Sequence, residues 1–175
     1  KLIKFMLKKI SLKNFKSFKE LNDFELKPIT VLCGTNSSGK STILKLLLLF
    51  HQSFDAYSRS LLWNGKFVKL GSLKNLIYKH DYSKPIKFKF SFELNLSGSD
   101  KIKNMTRFLR PLANFVFYAT NPLAFKNSGC RIIDYEIEVI KNPENELDLI
   151  IKSYTLTITS EKDKPTIIKV TLKLV

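Results

Sequence analysis

Eight consecutive residues carry the clearest chemistry in this chain: Gly34, Thr35, Asn36, Ser37, Ser38, Gly39, Lys40 and Ser41. They satisfy G-x-x-x-x-G-K-[ST] at every fixed position. Two glycines let the backbone turn tightly and approach an anion with no Cβ in the way. Such a loop points successive N–H groups into one concavity, a shape suited to phosphate oxygens. A helix that follows adds the positive end of its dipole and its free N–H donors. Lys40 would then reach the outer phosphates as a point charge. Ser41 would offer its hydroxyl to Mg²⁺, and Thr42 would touch a phosphate nearer the base.

This chemistry needs a strand before the loop and a helix after it. The sequence supplies "ITVLC" at 29–33 and a strongly apolar run from Lys40 to about Phe54. Ile43, Leu44, Leu46, Leu47, Leu48 and Phe50 cover nearly all faces of that helix, so it is expected to lie buried between two layers. Upstream, "KISLKNFK" alternates as a strand does. "FELKP" reads as a second short strand, broken from "ITVLC" at Pro28. Residues 53–71 read as irregular, with a turn at Asn64–Gly65, and 72–79 as a short helix capped by Ser72.

Beyond Pro85 the pattern changes. Ile86, Phe88, Phe90, Phe92, Leu94 and Leu96 alternate with Lys87, Lys89, Ser91, Glu93 and Asn95. That period of two predicts a strand with one buried face. Alternating runs at 131–140, 147–159 and 166–175 follow, separated by the turn sequences "KNPENE" and "SEKDKP". Consecutive strands joined by short polar turns predict an antiparallel meander. A short helix is expected near 104–114, with turns at 121–122 and 128–129. The fold class expected is α/β, a mixed sheet with a substantial antiparallel β-meander.

The chain has 175 residues, including 14 Phe, and carries a net charge of +15 from 30 basic and 15 acidic side chains. That length fits one domain or one lobe of something larger. The charge favours an anionic partner, DNA or RNA above all. The excess is nearly all Lys, with only Arg59, Arg107, Arg110 and Arg131, and a compositional bias would produce the same excess without a ligand. No run is long enough to span a bilayer, so no membrane partner is expected. Cys33 and Cys130 have neither a CxxC partner nor a His cluster, which argues against zinc and fits a reducing, cytoplasmic setting. Cys33 itself is expected to be a small buried hydrophobe.

Phosphoryl transfer also requires an acidic residue at the end of an apolar strand, to hold Mg²⁺ and orient water. No run supplies one convincingly. Asp134, Glu136 and Glu138 alternate along one strand and read as a solvated face. "NFVFYATN" at 114–121 is apolar but ends in Thr and Asn. His80 and Asp81 read as a plain turn.

The stretch 10–50, with "NFKSF" ahead of "GTNSSGKS", resembles the amino-terminal lobe of ABC-type ATPases of the SMC, RecF and OLD group. "WNGKFVKLGSLKNLIYKHD" at 63–81 is similar to a segment of AAA-family ATPases in bacterial anti-phage systems such as Septu and, more loosely, Gabija. The resemblance implies a P-loop NTPase lobe of ABC-ATPase type, with 1–84 as the nucleotide-binding lobe and 85–175 as the antiparallel portion of the same head. It implies ATP and Mg²⁺, and ATP hydrolysis by a homodimer or higher oligomer of heads. In such heads the phosphate loop of one faces an "LSGG"-like signature of the other, and closure drives a partner nuclease or a nucleic-acid clamp. It also implies a basic residue near the phosphates, for which Lys16 stands beside Lys13 and Lys19. "LSGS" at 96–99 departs from the signature by ending a strand, and reads as a β-turn. Gln52, the only Gln, lies inside the helix after the loop and does not match the family's Q-loop glutamine. The catalytic set is therefore expected to be incomplete here, with the signature and acidic strand in sequence not shown. The alternative is a basic nucleic-acid-binding module with a vestigial phosphate loop. A small kinase or GTPase is disfavoured, because no NKxD-type guanine motif occurs and a long meander is foreign to those folds.

Overall fold

A computed structural model describes residues 4–55, 61–95, 131–145, 148–160 and 167–173. Six strands form one sheet in the order β2-β1-β3-β4-β5-β6. They are β1 (Lys4–Phe15), β2 (Phe18–Glu25), β3 (Ile86–Asn95), β4 (Arg131–Lys141), β5 (Leu149–Ser160) and β6 (Ile167–Lys173). All the pairings among the described residues are antiparallel, as the meander predicts. The parallel pairing that a mixed sheet would add is not among them. Because β1 pairs with β3, one continuous sheet crosses the expected boundary at 84/85.

Period two along β3 sorts the two faces. Ile86, Phe88, Phe90 and Phe92 are buried, opposite Val139, Ile137, Tyr135 and Ile133 of β4. The other face carries Lys87, Lys89, Ser91 and Glu93. It is a lattice of ion pairs: Lys8–Glu93 at 2.5 Å, Lys89–Asp134 at 3.0 Å, Lys87–Glu138 at 3.3 Å and Lys152–Glu138 at 3.0 Å. Burial of Glu138 opposes its ionisation, but hydrogen bonds from Lys152 and Lys87 outweigh it and hold the carboxyl below its ordinary value. Asp134 also accepts from Ser91 Oγ at 2.5 Å. These carboxylates are a structural surface, as their alternation implied.

The helix α1 (Lys40–Asp55) lies on the apolar face. Thr42, Ile43, Leu46, Leu49, Phe50 and Ser53 are buried at helical spacing. Phe50 meets Phe90 edge-on at 4.5 Å and Phe88 at 5.4 Å, and Phe88 meets Phe15 at 5.1 Å. The opposite side of α1 is not covered by any described residue to the extent expected: Leu44 is 55% exposed and Leu48 40%. Burial between two layers is therefore only half realised, since the described fold supplies one layer.

The segment 61–84 runs beside α1 and is tied to it by Gln52. The Gln52 amide donates to Leu62 O and to Val68 O at 3.1 Å, and accepts from the amides of Phe67 and Val68 at 3.2 and 2.9 Å. In place of the helix expected at 72–79 stand two 3-10 turns, Leu73–Asn75 and Tyr78–His80, and Ser72 makes no side-chain cap. Lys79 and His80 adopt φ of 48° and 59°, which breaks any continuous helix. The helix expected near 104–114 and the turns at 96–99, 121–122 and 128–129 lie outside the described residues.

Phe88 joins β3 to both β1 and α1. Phe88→Ala should lower the free energy of unfolding by about 3–5 kcal/mol in urea titrations. Ile132→Ala, on the outward face and 39% exposed, should cost far less. Equal losses would mean that α1 is not anchored through Phe88.

Candidate nucleotide-binding site

Residues 34–42 form a closed loop at the start of α1. Gly34 and Gly39 have φ of 146° and 94°, which a side chain rarely tolerates, and Ser37 sits at 62°. Ser38 N donates to Thr35 O at 3.4 Å, and Thr42 N donates to Gly39 O at 2.9 Å. The amides of Ser37, Gly39, Lys40 and Ser41 find no protein acceptor among the described residues. Lys40 folds back over the loop, its Nζ donating to Gly34 O at 2.8 Å, Thr35 O at 2.5 Å and Ser38 Oγ at 3.3 Å. Its partners are the loop's own oxygens rather than a carboxylate. Lys40 thus closes the ring with bonds that a stronger anion can exchange. Ser41 is exposed in the first helical turn, and Thr42 is buried at the helix base.

The loop rests on the turn between β1 and β2. A Cβ built on Gly39 would lie 2.6 Å from Phe18 Cε2 and 2.9 Å from Ser17 Oγ. Gly39 is therefore required twice, by its positive φ and by the ring beneath it. Sequence reasoning named Gly39 for the first reason only. No local pattern signalled the second, because Phe18 meets Gly39 only through the packing of α1 on the sheet.

The same turn positions Lys16. Its φ is 50°, a left-handed conformation that costs a non-glycine residue about 1–2 kcal/mol. Two bonds hold it there: Lys16 N to Leu76 O at 2.7 Å and Lys16 Nζ to Asn75 O at 3.3 Å. An isolated bridge between Phe15 and Ile77 reinforces them. Burial and then the charge of Lys45 push the Lys16 ammonium below its ordinary pKa. Of the three lysines weighed from sequence, Lys13 is engaged with Glu20 at 2.7 Å. Lys16 is the one whose turn abuts the loop. Asn75 was not legible as its anchor, because 59 residues separate the two.

Other expectations fail at the approach to the loop. Residues 28–33 form no strand. Ile29 and Val31 are 86% and 75% exposed, and Cys33 is exposed rather than buried. A strand needs a neighbour for its backbone groups, and no described strand lies beside this segment. Thr30 Oγ1 instead closes a local turn around Pro28, accepting from Lys27 N at 2.9 Å and donating to Lys27 O at 3.1 Å. His80 and Asp81 form the plain turn expected. His80 Nδ1 contacts Lys74 O at 2.8 Å. Asp81 accepts from Lys84 at 2.7 Å and Ser83 at 2.5 Å, and these bonds hold its carboxyl down at about 2. No group of three or more His, Cys, Asp or Glu that would hold a metal occurs among the described residues. No helix of the described residues is long and apolar enough to cross a membrane.

A family model described as the AAA ATPase domain matches residues 6–173. The chain belongs to this AAA ATPase family. AAA ATPases in general bind and hydrolyse ATP with Mg²⁺. A protein of Methanocaldococcus jannaschii called "Uncharacterized protein MJECL10" is 32% identical over 92 residues, covering 49% of this chain. The chain spans 42% of the length of that relative.

Gly39→Ala should weaken nucleotide binding and lower stability together, because the added methyl displaces Phe18. A variant with wild-type affinity by calorimetry would contradict this packing. The Asp81 carboxyl stands at about 2, against an ordinary 3.8. Its support of the 81–84 turn should therefore be complete above about pH 4 and vanish as pH falls through 2. Asp81→Asn should abolish that acid dependence in amide-exchange or NMR titration.

Proposed function

We propose that this chain is the ATP-binding lobe of an ABC-type ATPase head of the SMC, RecF and OLD kind, working in bacterial anti-phage defence or DNA processing. Two heads would hold ATP between them, and their closure would control a partner nuclease or a nucleic-acid clamp. What supports the ATP-binding part is one closed loop that combines the Lys40 ammonium with amides at Ser37, Gly39, Lys40 and Ser41 that have no protein acceptor among the described residues. The donor set fits a triphosphate. Gly34, Thr35, Asn36, Ser37, Ser38, Gly39 and Lys40 would cradle it, with Ser41 directed to Mg²⁺, Thr42 to a phosphate nearer the base and Lys16 to the rim. When bound, the ion neutralises charge developing on the outer phosphate oxygens.

Lys40 leaves two carbonyls and a hydroxyl to meet phosphate, so the charge-assisted bonds formed replace neutral ones. No carboxylate among the described residues bonds to the loop. This chain alone would bind ATP weakly and turn it over hardly at all.

Lys40→Ala should weaken ATP binding by roughly tenfold to a hundredfold, since charge-assisted hydrogen bonds contribute about 1.5–3 kcal/mol. Calorimetric titration with ATP, with and without Mg²⁺, is the measurement. Ser41→Ala should erase the difference made by Mg²⁺ while leaving metal-free binding nearly unchanged. Unaltered affinity in Lys40→Ala would remove the loop from the function.

A further inference from the structure

Two groups of the described lysines differ in their partners. On the outward face of the sheet and at its edge, Lys8, Lys13, Lys87, Lys89 and Lys152 each touch a carboxylate within 3.3 Å. Along the strip 61–84 and beside it, Lys16, Lys45, Lys66, Lys69, Lys74 and Lys79 pair with no carboxylate among the described residues. The strip is continuous in space. Gln52 clasps its first part to the second half of α1, and Lys16 holds Asn75 and Leu76 beside the phosphate loop. The acid within it, Asp81, is already taken by Lys84.

The strip also presents an aromatic ring. Phe67 is 45% exposed at the tip of the 64–69 turn, with Lys66 Nζ 5.7 Å from its centroid and the His51 ring 4.8 Å away. Exposed ammonium groups interleaved with an exposed ring are the chemistry that tracks a phosphodiester backbone and stacks on a base. A compositional excess of lysine would scatter over the surface. Here five lysines of the sheet face and edge meet carboxylates, and the six of the strip meet none among the described residues.

We propose that the strip 61–84, with Lys16 and Lys45 at its inner border, binds the phosphodiester backbone of nucleic acid, and that the outward sheet face does not. This rests on the nucleic-acid partner named in the proposed function and deepens it by assigning the surface. The strip borders the phosphate loop through Lys16, so strand and nucleotide meet at one edge of α1. Phe67 adds stacking when the strand is single.

The test compares two triple variants with the same loss of charge. One is Lys66→Gln, Lys69→Gln, Lys74→Gln; the other is Lys87→Gln, Lys89→Gln, Lys152→Gln. Binding of a fluorescent single-stranded oligonucleotide to the nucleotide-free protein is measured between low and moderate salt. The slope of log affinity against log salt should fall by about 2 in the strip variant, as each lost phosphate contact removes about 0.7. The sheet variant should keep the wild-type slope. Equal slopes in both variants, or an unchanged slope in the strip variant with its circular dichroism intact, would overturn the assignment. Lys40→Ala should leave oligonucleotide binding in place. If it abolishes that binding, the strand occupies the phosphate loop itself and the strip proposal fails. ATP titration of the strip variant reports separately on the nucleotide site, so failure of one reading is not mistaken for failure of the other.

Discussion

The burial of one stripe of α1 against the aromatic face of the sheet is the constraint on which the rest depends. Phe50 wedged among Phe88 and Phe90 fixes the axis and the rotation of the helix. That placement puts the first turn of α1 directly over the turn joining β1 and β2. Phe18 and Ser17 then fill the space under Gly39, and only a residue without a Cβ lets the loop settle on them. The binding role proposed for this loop rests mainly on backbone groups. Such a loop must be built by holding the backbone still, and the apolar core does the holding.

The polar network beside it follows the same logic at lower density. Gln52 is buried on the inner side of α1 and satisfies four backbone groups of the neighbouring segment. A buried amide left unpaired would be costly, so this clasp specifies one path for residues 62–68. Asn14 does likewise at the other end, donating to Asp81 O at 3.1 Å and Lys84 O at 2.8 Å. Between these anchors the segment carries its lysines outward. Rigid attachment and unpaired charge thus coincide along a single strip, next to the phosphate loop.

The strand pattern was legible wherever one face is buried and the other wet. β3 and β4 read off as alternation because burying one face leaves the other to solvent and its ion pairs. The closed loop at 34–41 was legible because its two glycines and the lysine after them stand at fixed spacing ahead of an apolar helix. The segment 28–33 was not. Its Ile, Thr and Val favour a strand, but propensity supplies no hydrogen-bond partner, and among the described residues none stands beside it. The same deficit explains Cys33 and the exposed side of α1. The turns at 73–80 defeated the helix expectation because Lys79 and His80 take left-handed conformations that local sequence does not announce.

By itself, then, the amino-acid order determined the antiparallel meander, the helix α1 and the glycine-bounded loop that opens it, since each is encoded by periodicity or by residue types within a short window. Tertiary structure alone decided that Phe18 underlies Gly39, that Asn75 holds Lys16, and which of the described lysines meet a carboxylate. Those facts depend on which side chains meet across dozens of residues. Contact of that kind arises only when the helix packs on the sheet, and no local pattern records it.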